Sequence, residues 1–128
     1  MNDQTTAKKI LIVEDEQFIS ELYLRALSRA GYDATVEYDG LQALQKAQTD
    51  QFDIILLDLM VPNMTGMEIL DHLRDRSKTP KLHSKIIVAT NLEQKAEKRA
   101  AIEQNADGYL IKANITPKEL VEFLSGVV

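Results

Sequence analysis

Five short apolar runs punctuate the chain: Ile10-Leu11-Ile12-Val13, Ala34-Thr35-Val36, Ile54-Ile55-Leu56-Leu57, Ile86-Ile87-Val88-Ala89 and Tyr109-Leu110-Ile111. Four are continuous rather than alternating, the pattern of strands covered on both faces. Ala34–Val36 is the weakest, flanked by Asp33 and Glu37, and is expected near a sheet edge. Between the runs lie helix signals. Phe18, Ile19, Leu22, Ala26 and Leu27 make one apolar face that ends near Gly31. Leu41, Leu44 and Ala47 make a shorter one after the Asp39-Gly40 turn. Thr65-x-x-Glu68 is a capping box before Met67, Leu70 and Leu73. Thr116-Pro117-Lys118-Glu119 is a second, before Leu120, Phe123, Leu124 and Val127.

The segment from Leu92 to Gln104 differs. Its inward candidates are Leu92, Ala96 and Ala100, so this helix is expected to bury little and to be loosely held. Asn105 is expected to close it in a left-handed conformation. The first seven residues read as a flexible tail, and no internal linker or low-complexity tract follows. Alternating β and α units predict an α/β fold: an open parallel sheet with right-handed crossovers and helices on both faces.

Composition narrows the field. At 128 residues and 14.4 kDa, with 45% hydrophobic positions, the chain suits one compact domain with no room for a second. It has no cysteine, which removes disulfides, zinc–thiolate sites, iron–sulfur clusters and thiol nucleophiles. A net charge of −5 and a pI near 5.0 argue against a phosphate-coating surface, so no nucleic-acid partner is expected. No apolar run approaches the ~20 residues that span a bilayer. The N-terminus lacks the apolar core of a signal peptide. The expected location is the cytoplasm, without membrane contact.

In open α/β sheets ligands gather beyond the carboxyl ends of the strands. Those ends carry Glu14-Asp15, Asp58, Thr90 and Lys112. Three clustered carboxylates repel one another unless a cation or a raised pKa relieves them. An all-oxygen donor set suits Mg²⁺, with Mn²⁺ as a substitute. An ionised aspartate can itself attack phosphorus to give an aspartyl phosphate. Lys112 and the Thr90 hydroxyl could then serve the phosphoryl oxygens. Taken singly, each residue has a plainer explanation. Glu14-Asp15-Glu16 would be a solvated first helical turn, Asp58 a turn residue, Lys112 a surface lysine and Tyr109 half-buried packing. Together they demand too many coincidences.

The pieces Ile10-Leu11-Ile12-Val13-Glu14-Asp15-Glu16, Ile54 through Gly66, Val88-Ala89-Thr90 and Ala106 through Lys112 resemble the receiver domain of bacterial response regulators. The resemblance covers about residues 8 to 125. It implies a flavodoxin-like, chemotaxis-type (βα)5 fold, three layers α/β/α, with strand order 2-1-3-4-5. By position, Asp58 resembles the phosphoacceptor, Glu14 and Asp15 the Mg²⁺-binding acids, and Met60 the residue whose backbone carbonyl binds the metal. Thr90 resembles the switch hydroxyl, Tyr109 the switch aromatic and Lys112 the phosphoryl-contacting lysine. The implied partner is a histidine kinase or histidine phosphotransferase. The implied output is a downstream protein target, reached by a monomer or weak dimer through the fourth-helix, fifth-strand and fifth-helix face. Such a chain is no conventional enzyme; it assists its own phosphorylation and slow aspartyl-phosphate hydrolysis.

Four positions depart from the family pattern; Thr65, where Asp is common, is explained by its own capping box, and Asn105, where Gly is common, by a helix C-cap, which leaves two that bear on the site. Lys112 is followed by Ala113 where proline and a cis bond are usual, so the bond is either strained or trans. Asn91 follows Thr90 where a smaller residue is usual. It either narrows access to the site or, the favoured reading, is the N-cap of the next helix with Gln94 at the capping-box position. These departures keep an alternative open, a degenerate receiver that binds proteins without phosphate. A flavodoxin-like redox carrier or nucleotide enzyme fits poorly, since the chain has no Gly-rich phosphate loop after its first strand. No DNA-binding unit or other effector domain is expected within the chain. His72 and His83 are expected as solvated surface residues without an acidic partner. Met60, Met64 and Met67 are expected in loop and core packing.

Overall fold

In a computed structural model, residues 7–91 and 93–128 are described. Five strands alternate with five helices: β1 Lys9–Val13, α1 Gln17–Arg29, β2 Asp33–Glu37, α2 Gly40–Ala47, β3 Ile54–Asp58, α3 Gly66–Arg74, β4 Lys85–Thr90, α4 Ala96–Asn105, β5 Gly108–Ile111 and α5 Pro117–Ser125. All strand pairs are parallel and the order is β2-β1-β3-β4-β5, as the family resemblance implies. Side-chain alternation splits the core into two layers. Ile10, Ile12, Ile54, Leu56 and Ile87 face Tyr23 and Leu27 of α1 and Leu120 and Leu124 of α5. Leu11, Val13, Ile55, Leu57 and Val88 face α2, α3 and Ile102 of α4. The central strands β1, β3 and β4 are buried on both sides, as their continuous apolar runs predict. Edge strand β2 is half-buried at best, and β5, at the other edge, is half-buried too.

Both capping boxes form. Thr65 accepts the Glu68 N–H while Glu68 accepts the Thr65 N–H, and Thr116 with Glu119 repeats the arrangement under Pro117. Several helix faces are rotated from expectation. In α1 the inward residues are Ser20, Tyr23 and Leu27, and Phe18 is 72% exposed. In α2 Ala43 is buried beside Leu44, and Leu41 lies outside.

The fourth helix departs furthest. It starts at Ala96, its N-cap is Lys95 with no side-chain cap, and Asn91 therefore does not cap it. Ala96 and Ala100 are exposed and Ile102 is its one buried residue. Leu92 lies outside the described residues, as do residues 1–6 of the expected tail. Asn105 is not in the left-handed region, which is occupied instead by Asp50 and Asn63 (φ 58° and 70°) among non-glycine residues. The helix needs no such closure because Ala106 leaves it directly in extended backbone.

Candidate functional site

The site stands on the carboxyl ends of β1, β3, β4 and β5. Glu14 follows β1 and Asp58 ends β3, both carboxyls buried; Lys112 follows β5 with its ammonium buried as well. Lys112 Nζ donates to Glu14 Oε1 and lies 3.0 Å from Asp58 Oδ2. The other Asp58 oxygen, Oδ1, accepts the Met60 N–H at 3.2 Å. Glu14 Oε2 accepts the Glu16 N–H at 3.1 Å. Asp15 is exposed, yet one carboxylate oxygen each from Glu14, Asp15 and Asp58 lies within 4.8 Å of the others. Ile12, Tyr23, Leu56 and Ala89 floor the cluster with apolar surface.

The electrostatics follow from that burial. Two buried carboxylates share one ammonium, so the buried group carries an excess negative charge. Burial pushes the Glu14 carboxyl up to about 7, with the Asp58 charge adding to the rise and Lys112 opposing it. For Lys112, burial alone would favour the neutral amine. The bond to Glu14 and the charge of Asp58 outweigh it and hold the ammonium above the usual lysine value. Oxygen donors with surplus negative charge are the donor chemistry a hard divalent cation requires.

The loop after β3 is fixed by its backbone. A side chain on Gly66 would place its Cβ 2.2 Å from the Asp58 carbonyl, so only glycine lets α3 begin this close to the strand. Gly66 N–H bonds the Leu59 carbonyl at 3.0 Å, and Asn63, at positive φ, donates to the Asp39 carboxylate. Met60 projects outward, 74% exposed, in contrast to the packing role expected of it; Met64 and Met67 do pack against the core.

The chain leaves β5 through one 3-10 turn, Lys112–Asn114. The described residues contain no cis peptide bond, so Lys112–Ala113 is trans and the lysine still reaches both carboxylates. Thr90 is buried at the end of β4, and Asn91 is exposed beside it. With Met60, Thr90 and Gln94, Asn91 lines a cleft of about 310 Å³, the position the access reading requires. Tyr109 is half-buried on β5, its hydroxyl accepting the Gln94 N–H at 3.3 Å and the Arg99 guanidinium 4.6 Å from its ring centre.

Glu14, Asp15, Asp58, Met60, Thr90 and Lys112 thus lie at this end of the sheet, while Tyr109 is the second residue of β5, level with Val88 of β4. The sequence profile of the response regulator receiver domain matches residues 10–125. The chain belongs to that family. Response regulator ArlR of Staphylococcus saprophyticus is 39% identical over 119 residues, covering 93% of this chain and 50% of that protein. The alkaline phosphatase synthesis transcriptional regulatory protein PhoP of Bacillus subtilis is 38% identical over 113 residues, covering 88% of this chain and 45% of that one. This receiver chain therefore spans about half the length of these curated relatives. Among solved structures, the Vibrio cholerae chemotaxis protein CheY4 aligns with a TM-score of 0.81 and 32% identity, covering 96% of this chain and 100% of that one. A receiver domain from Methanospirillum hungatei aligns with a TM-score of 0.78 at 26% identity, covering 94% of this chain and 93% of the other.

Three neighbours of the site escaped the sequence. Tyr23 is buried beneath it, and burial raises its hydroxyl above the ordinary tyrosine range. Its spacing from Ile19 and Leu27 was the available signal. Gln94 stood out only as a capping-box position, not for its bond to Thr90 four residues back, and Arg99 carried no signal because its contact with Tyr109 crosses between elements. At the opposite end of the sheet, His83 does have acidic partners: Nδ1 lies 2.8 Å from Asp50 and Nε2 3.3 Å from Asp53.

Proposed function

We propose that this receiver is a phosphorylation-controlled switch. The Asp58 carboxylate attacks the phosphorus of a phosphohistidine presented by a histidine kinase or histidine phosphotransferase. The P–N bond breaks, its electron pair returns to the imidazole, and Asp58 keeps the phosphoryl group. The observation that carries this reading is the dressing of Asp58. One oxygen is held by Lys112 and the other by a backbone N–H, on a rigid central strand beside two further acids.

Glu14, Asp15, Asp58 and the Met60 carbonyl would hold Mg²⁺, or Mn²⁺ in its place. When bound, that cation supplies the positive charge that offsets the phosphoryl oxygens. Lys112 stays protonated and gives the second positive contact. Thr90 then turns its hydroxyl toward the phosphoryl group and Tyr109 follows it. The change is read on the α4–β5–α5 face, where Tyr109, Leu110, Ile111, Ile115 and Phe123 line a groove of about 480 Å³. A downstream protein, or a second copy of the chain in a weak dimer, would be met there. The receiver assists its own phosphorylation and the slow hydrolysis of the aspartyl phosphate.

The alternative of a receiver that binds proteins without phosphate loses support, because the trans Lys112–Ala113 bond leaves the lysine in place. Incubation with acetyl phosphate and Mg²⁺, followed by intact-mass measurement, tests the assignment. The wild-type chain should gain one phosphoryl group, and Asp58→Asn should gain none. Labelling of that variant at the wild-type rate would sink it.

A further inference from the structure

Thr90 and Tyr109 lie on neighbouring strands, yet a bonded path between them runs through the loop before α4. The Gln94 main-chain N–H donates to the Tyr109 hydroxyl at 3.3 Å. Its side-chain amide donates to Thr90 Oγ1 at 3.5 Å, a long bond and so an easily exchanged one. Two different atoms of one residue thus touch both side chains assigned to the switch. Arg99 completes the arrangement. Its guanidinium bonds Glu93 of the loop at 2.7 Å and Glu103 of α4 at 3.0 Å, and lies over the Tyr109 ring. One cation therefore gathers loop, helix and strand around the tyrosine.

We infer that Gln94 is a positioning residue that couples Thr90 to Tyr109, with Arg99 as the clamp on the tyrosine ring. The inference deepens the proposed switch and rests on Asp58 as the phosphoacceptor for its trigger. In the unphosphorylated chain the Thr90 hydroxyl accepts from Gln94. Once Asp58 carries a phosphoryl group, that hydroxyl reorients to donate to it and gives up its geometry with the Gln94 amide. The released side chain lets the loop move, and the main-chain N–H of the same residue carries the movement to the Tyr109 hydroxyl. The loop is suited to this. It enters α4 at Lys95 without a side-chain cap, and Ile102 is the one buried residue of α4.

Fluorine NMR of the full chain labelled with 3-fluorotyrosine tests the coupling. The protein has 4 tyrosines, and Tyr109→Phe identifies the resonance. Gln94→Ala should displace the Tyr109 resonance before any phosphoryl donor is added. With acetyl phosphate and Mg²⁺ it should take up phosphoryl to the wild-type stoichiometry but lose most of the phosphorylation-driven shift. Gln94→Glu, which keeps the size but removes the amide donor, should behave alike, and Arg99→Ala should broaden the resonance in both states. A wild-type Tyr109 shift in both Gln94 variants overturns the coupling. If the wild-type chain takes up no phosphoryl group, the Asp58 assignment fails by itself. An undisplaced Tyr109 resonance in unphosphorylated Gln94→Ala would then still overturn the coupling.

Discussion

Removing one charge at a time from the buried Glu14–Asp58–Lys112 group should give opposite results. Lys112→Met strands two buried carboxylates and should cost about 3–5 kcal/mol of stability in chelator at neutral pH. Asp58→Asn leaves a matched Glu14–Lys112 pair and should instead stabilise the metal-free protein by roughly 1–2 kcal/mol, while removing the proposed phosphoacceptor. Urea titration of both variants checks the contrast, and two shifts of the same sign would contradict the charge argument. A second charged residue sets the acid limit. The Lys9 N–H bonded to Asp53, together with His83, holds the Asp53 carboxyl below its ordinary value. A lowered carboxyl stabilises the fold fully above the unfolded pKa near 4 and loses that contribution as the pH falls through the folded value. Asp53→Asn should therefore lower stability at pH 7 by about 1 kcal/mol. Its urea midpoint should also decline less steeply below pH 4.

At the scale of elements the helices divide by how they are held. Helices α3 and α5 each have a capping box and at least two buried aliphatic side chains, whereas α4 has no side-chain cap and only Ile102. Hydrogen exchange should reach the α4 amides well before those of α3. Ile102→Ala should cost about 2–5 kcal/mol in urea unfolding or detach the helix, seen as loss of its residual protection. The loose hold on this helix was legible in the sequence, but its residues were not. Ala96 and Ala100 look inward by spacing, and only the contact with α3 and β5 selects Ile102. Helix α1 fails the same way: Phe18, Ile19, Leu22, Leu24 and Leu27 span so much of its circumference that tertiary contact chooses Tyr23 and Leu27. Strands fared better, since continuous runs such as Ile54–Leu57 allow little besides a buried parallel strand. Glu14, Asp15, Asp58, Thr90 and Lys112 were legible at the strand ends, whereas Met60 and Tyr109 came only with the family resemblance. Contacts between elements, such as those of Arg99 with Tyr109 and of His83 with Asp50, leave no local pattern.

For the whole molecule, the parallel order β2-β1-β3-β4-β5 brings acids from β1 and β3 and the lysine after β5 to one end, joining residues 98 positions apart. Such a cluster exists only in the folded state. A cation held there should bind the native chain and not the unfolded one, so millimolar Mg²⁺ should raise the melting temperature and EDTA should reverse it. Combining Glu14→Gln with Asp58→Asn should erase the shift. An unchanged shift in the double variant would place the cation elsewhere.

The thin anchoring of α4 has an evolutionary corollary. Ala96, Glu97, Lys98, Ala100 and Ala101 are all exposed, so substitutions along most of the helix leave the core untouched. The surface that would address partners can drift or be redesigned almost independently of the chemistry beneath it. Duplicated copies of such a chain could acquire separate correspondents while keeping the same strand-end residues, insulated from one another by a handful of solvent-facing codons.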